Sequence, residues 1–104
     1  MRVFLLTKSP QSERTKLCLQ LIARSPDAVV YLAGDAVYCL LGEGTANEAD
    51  LVPGGLLSGH RTFVCKEDLL ARGVSSNGKA VTLDDFYDRL VEDIMKEGSR
   101  AYSF

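Results

Sequence analysis

The sequence predicts a single three-layer α/β domain, a mostly parallel sheet of about four to five strands with helices on both faces. Three observations lead there. Two continuous apolar runs of strand length, within Arg2–Thr7 and Ala28–Ala33, lack the alternation of a half-solvated strand and so suit a sheet covered on both sides. A helical pattern lies between them, which is the arrangement of a right-handed parallel crossover. A third strand, built on Thr62, Phe63 and Val64, runs straight into the helix formers Leu69, Leu70, Ala71 and Arg72, with Gly73 placed to end the helix at positive φ.

Composition agrees with one soluble domain over residues 1–104. The chain has 104 residues, 25% charged and 46% hydrophobic, and a domain of that size buries about two thirds of the surface its unfolded chain exposes. No apolar run reaches the roughly 18 residues of a membrane span, and the amino-terminal residues do not read as a signal peptide, so a cytoplasmic protein with no membrane association is expected. Cys18, Cys39 and Cys65 are odd in number and widely spaced, which fits free thiols in a reducing compartment. A net charge of −2 gives no broad attraction for phosphate backbones, and direct nucleic-acid binding is not expected.

The elements follow in order. After the first, central strand, Ser9-Pro10 gives a helix start with a hydroxyl cap and proline in the first turn, and the helix is expected to run to about Arg24. Leu17, Cys18, Leu21 and Ile22 form its expected buried stripe. Beyond the second strand, Ala36–Leu41 continues as a short apolar helix closed by Gly42, with Cys39 a core residue. Residues 42–60 read as a long loop of glycine, small residues and carboxylates. A polar turn at Ser75–Gly78 leads to a short strand at about Lys79–Leu83. Thr82-x-x-Asp85 then opens the last helix as a capping box, and Phe86, Leu90 and Ile94 with Tyr87, Val91 and Met95 supply its apolar face. Tyr102 and Phe104 in the tail fit an edge strand or an aromatic anchor for another subunit.

The chemistry concentrates on Cys65, at the junction of strand and helix. Unpaired backbone amides at a helix start stabilise a thiolate, so its pKa is expected to fall, while Glu67 and Asp68 in the same turn oppose that and Lys66, Arg61 and His60 pull back. The plain alternative is a small apolar residue closing a buried strand. Cys18 reads as a buried helix cysteine. His60, the only histidine, is a surface residue with an acid/base role open through its nearness in sequence to Cys65. Asp35 reads as a helix cap, or as a polar group at the carboxyl edge of the sheet. No Walker loop, dinucleotide fingerprint or zinc-ligand spacing is present, so neither a cofactor nor a metal is expected. A Cys65–His60–Asp35 hydrolase can be written on paper only. What survives is thiolate attack on a sulfane sulfur, which needs an accessible cysteine and a docking surface.

Leu6-Thr-Lys-Ser9-Pro10, Gly34-Asp-Ala-Val-Tyr38, Glu67-Asp-Leu-Leu-Ala-Arg-Gly73 and the aromatic tail together resemble the DsrE/DsrF/DsrH superfamily of sulfur-relay proteins, closest to the DsrH/TusB branch. The resemblance implies a persulfide carrier, rather than a turnover enzyme, that takes sulfur from a donor protein and passes it to an acceptor protein. It also implies a homo-oligomer, or a hetero-oligomer with DsrE/TusD-like and DsrF/TusC-like subunits, serving tRNA thiolation or sulfur oxidation. Cys65 matches the place of the sulfur-accepting cysteine of the DsrE/TusD branch, where TusB-like chains usually carry another residue. Cys18 stands roughly where some DsrH proteins carry a cysteine, and is the secondary candidate. The alternatives are a non-catalytic structural subunit of a TusBCD-like oligomer and a small-molecule binding module.

Overall fold

The computed structural model describes residues 1–41, 61–75 and 80–104. Strands β1 (Arg2–Leu6), β2 (Ala28–Leu32), β3 (Arg61–Cys65), β4 (Val81–Leu83) and β5 (Arg100–Ser103) form one sheet in the order β4-β3-β2-β1-β5, every neighbouring pair parallel. Helices α1 (Glu13–Ala23), α2 (Lys66–Arg72) and α3 (Phe86–Met95), with a 3-10 helix at Gly34–Leu41, occupy the connections. The α/β domain expected from the apolar strands is therefore what forms.

Strand alternation divides the core in two. Phe4, Leu6, Val30, Leu32 and Val64 point to the face covered by α1, the 3-10 helix and α2, while Val3, Val29, Tyr31, Phe63 and Cys65 point to the face covered by α3. The division follows from crossover handedness. The chain steps from β1 to β4 in one direction across the sheet and returns from β4 to β5 in the other, so a single handedness puts the returning helix on the opposite face.

Local differences from the expected elements have physical causes. Ser9 does not cap α1: Ser12 does, its hydroxyl accepting from the Arg14 amide at 3.2 Å, because Ser9–Ser12 close a turn that the Thr15 hydroxyl holds by donating to the Ser9 carbonyl at 2.6 Å. The buried stripe of α1 is Thr15, Cys18, Leu19 and Ile22, and Leu17 and Leu21 face outward, because Cys18 and Ile22 can be flanked on either side by an apolar residue and the sheet takes the Leu19 side. Thr82 belongs to β4, and Asp85 stands at the cap position of α3 without a side-chain capping bond. Gly73 behaves as read: its φ of 65° lets the Val74 and Gly73 amides reach back to the carbonyls of Leu69 and Leu70 at 3.0 and 3.4 Å, closing α2. The tail is an edge strand. Tyr102 stacks on Phe4 with centroids 5.2 Å apart, and the Phe104 amide donates to the Leu5 carbonyl at 2.8 Å. The loop at 42–60, the turn at 76–79 and His60 lie outside the described residues.

On its buried side α3 carries Phe86, Leu90 and, unexpectedly, Asp93. The Tyr31 hydroxyl donates to Asp93 Oδ2 and Lys96 Nζ lies 3.0 Å from Oδ1, so the carboxylate ties β2 to the end of α3. Burial raises the Asp93 pKa, but the bonds from Tyr31 and Lys96 outweigh it and the net direction is down. Burial, with Asp93 beside it, pushes the Tyr31 phenol well up.

Two measurements follow. Tyr31→Phe and Asp93→Ala should each lower stability by about 2 kcal/mol, and the double variant by clearly less than the sum, because both remove the Tyr31–Asp93 bond. Asp93 has a depressed folded-state pKa, so its contribution is complete above its ordinary 3.8 and disappears as pH falls through the lower folded value. Tyr31 has a raised one, so its contribution is complete below its ordinary 10.0 and disappears as pH rises through the folded value. Thermal unfolding of Tyr31→Phe against pH checks this: its deficit should shrink at both extremes, and a deficit independent of pH would contradict it.

Candidate functional site

The carboxyl edge of a parallel sheet opens a crevice where neighbouring strands send their connections to opposite faces. That happens between β3, which feeds α2 on one face, and β4, which feeds α3 on the other. Cys65 is the last residue of β3 and pairs with Leu83, the last of β4. Its side chain opens onto a cleft of about 210 Å³ that it lines with Glu67, Asp84, Asp85, Tyr87 and Asp88. The sulfur sits at the floor: Cys65 is 5% exposed.

Its electrostatics correct the expectation of a lowered pKa. Burial, the largest influence, drives the Cys65 pKa above its ordinary 9.0; the amides of Asp68 and Glu67 pull it down, and the Asp68 charge and side-chain contact push it up. The helix start acts in the expected direction and loses. Cys65 holds the cap position without a side-chain capping bond, so the amides contribute less than full hydrogen bonds would. The cleft is lined by the carboxylates of Glu67, Asp84, Asp85 and Asp88, and Lys66 is engaged with Asp84 at 3.4 Å. Across the mouth, Tyr87 is raised by burial and then by the charges of Asp68, Cys65 and Glu67, which places its phenol in the same field.

A second set of contacts fixes the frame. Asp68 Oδ2 accepts from the Gly34 amide at 2.8 Å, where Gly34 takes φ 56° and a Cβ would stand 3.4 Å from the Thr7 carbonyl. Arg72 joins Asp68 Oδ1 at 3.4 Å to Asp35 Oδ1 at 3.2 Å. Asp35 thus serves to anchor α2 to the 3-10 helix through Arg72.

Cys18 is in the other core layer. It is fully buried against α1's own face of the sheet, and burial, then the neighbouring Cys39, pushes its thiol up to about 12. Burial takes Cys39 to about 12 as well. The sheet lies between these thiols and Cys65, so the three do not form one site. Tyr87, Asp84, Asp85 and Asp88 were not singled out as site residues from sequence. The adjacent Asp84-Asp85 pair at a strand-to-helix junction was the available signal, and only the pairing of β4 with β3 brings it to Cys65. Among the described residues no cluster of His, Cys, Asp or Glu is arranged to hold a metal ion.

Alkylation by iodoacetamide, followed by peptide mapping, tests the site. In the folded chain Cys65 should react well ahead of Cys18 and Cys39, with a rate that rises through a pH above 9.0. Asp68→Asn keeps an acceptor for Gly34 and removes the charge, so it should move that midpoint down and speed the reaction at neutral pH. A midpoint unmoved by Asp68→Asn would count against the assigned cause.

A family model described as DsrH like protein matches residues 8–99, a span that takes in every described helix, the Cys65 cleft and the Asp35–Arg72–Asp68 frame. A comparison with curated proteins gives no match. No helix among the described residues is long and apolar enough to cross a membrane. The family match sets the molecule in a sulfur-relay context, with relay proteins as its general class of partner. The chain belongs to the DsrH-like family, in the DsrH/TusB branch of the DsrE/DsrF/DsrH superfamily.

Proposed function

We propose that this chain is a sulfur carrier that holds a persulfide on Cys65 and passes its outer sulfur to a partner protein's cysteine. The observation that carries the reading is the position of Cys65, at the floor of an open cleft where the connections of β3 and β4 diverge. The Cys65 thiolate attacks the outer sulfur of a donor persulfide; a new S–S bond forms at Cys65, the donor's S–S bond breaks, and the donor leaves as a thiolate. The acceptor's thiolate repeats the exchange on the Cys65 persulfide, which regenerates the Cys65 thiolate, and no external oxidant or reductant is consumed. A persulfide extends one sulfur further out than the thiol, which suits a floor position. The described cysteines are free, as a carrier in a reducing compartment such as the cytoplasm requires.

One observation favours a second reading. A thiol that is nearly buried and raised above its ordinary pKa is what a structural subunit of a hetero-oligomer would tolerate, with a DsrE/TusD-like partner supplying the reactive cysteine. Incubation with a persulfide donor and mass spectrometry of the intact chain distinguishes the two. The carrier gains a sulfur that maps to Cys65, releases it to a thiol acceptor, and loses the gain in Cys65→Ser but not in Cys18→Ala. A chain that acquires no sulfur at any thiol, alone or with its oligomeric partners present, is the structural subunit.

A further inference from the structure

The buried side of α3 accounts for Phe86, Leu90 and Asp93, but the helix carries a second apolar row. Tyr87, Val91 and Met95 recur at i, i+4 and i+8 with 59%, 55% and 76% exposure, and Ile94 joins them at the edge. Beside that row runs an acidic one, Asp88 and Glu92, both exposed. Tyr87 and Asp88 belong also to the Cys65 cleft, so the apolar row, the acidic row and the cleft form one continuous face.

We infer that this face docks a cationic segment of a partner protein, one presenting apolar side chains at helical spacing framed by Lys or Arg, so that its reactive group is delivered to the Cys65 cleft. Apolar side chains cover Tyr87, Val91 and Met95, and flanking cations meet Asp88, Glu92 and the carboxylates at the cleft mouth. The charge disfavours the other occupants. A second copy using the same face would bring Asp88 and Glu92 rows together, and nucleic acid would bring phosphates to carboxylates. The partner's being a relay protein rests on the sulfur-carrier reading; the surface itself does not.

The test uses the full chain carrying Cys65→Ser, so that a failure of sulfur chemistry leaves the binding result untouched. Two labelled synthetic helical peptides with the same leucine row, one framed by lysines and one by glutamates, are titrated by fluorescence anisotropy. The lysine peptide should bind at least about tenfold tighter than the glutamate peptide and weaken as salt is raised. The double reversal Asp88→Lys with Glu92→Lys should invert the preference, and the uncharged Val91→Asn should weaken the lysine peptide by about tenfold, with both variants melting as the parent does. Equal binding of the two peptides, no binding tighter than about 1 mM, or an unchanged preference after charge reversal overturns the proposal. So does sedimentation showing a self-association that Val91→Asn removes, which would assign the face to a second copy.

Discussion

Neighbouring strands β3 and β4 hydrogen-bond along their length and then part, one chain turning to α2 and the other to α3 on the opposite face. The gap they leave cannot be filled by either helix, because each is held to its own side by the apolar side chains of alternate strand residues. The cleft, the placement of Cys65 at its floor and the convergence of carboxylates from α2 and α3 follow from that divergence. Anchors on both faces hold it open in one geometry. Asp68 binds the Gly34 amide and, through Arg72, Asp35 on one side, while Tyr31 grips Asp93 on the other.

The environment of the Cys65 sulfur is a contest between short-range and surrounding influences. The amides of Glu67 and Asp68 favour a thiolate, and burial together with the Asp68 carboxylate disfavours it more. A thiol held in this state is protected from indiscriminate reaction, because burial and the Asp68 carboxylate keep it protonated. A sulfur carrier gains from such protection, since a persulfide exposed to bulk thiols would lose its sulfur before reaching its acceptor. The same balance explains why a purely structural role is the natural rival.

Much of this was legible in the residues themselves. The apolar runs at Val3–Leu6 and Ala28–Ala33 announced buried parallel strands, Gly73 marked the end of α2, and the strand-to-helix junction marked Cys65, because each depends on interactions within a few residues. The face of α1 differs from the expected one at Leu17 and Leu21, since spacing alone fits a stripe through Cys18 and Ile22 with either neighbour, and only packing on the sheet selects Leu19 and Thr15, whose hydroxyl finds the Ser9 carbonyl. Asp93 was unreadable as a buried residue: nothing in Glu92-Asp93-Ile94 says that Tyr31, 62 positions away, waits on the facing strand.

The order of elements, the parallel class of the sheet and the cysteine at its carboxyl edge were determined by the sequence alone, since periodicity, propensity and end signals act locally. Only the tertiary structure decided that β4 lies beside β3 and that Asp84, Asp85, Tyr87 and Asp88 therefore line one cleft with Cys65. It also decided the direction in which that thiol's pKa moves. The physical reason is that burial and charge depend on distance in space, and strand order sets those distances without leaving a mark on the residues it joins.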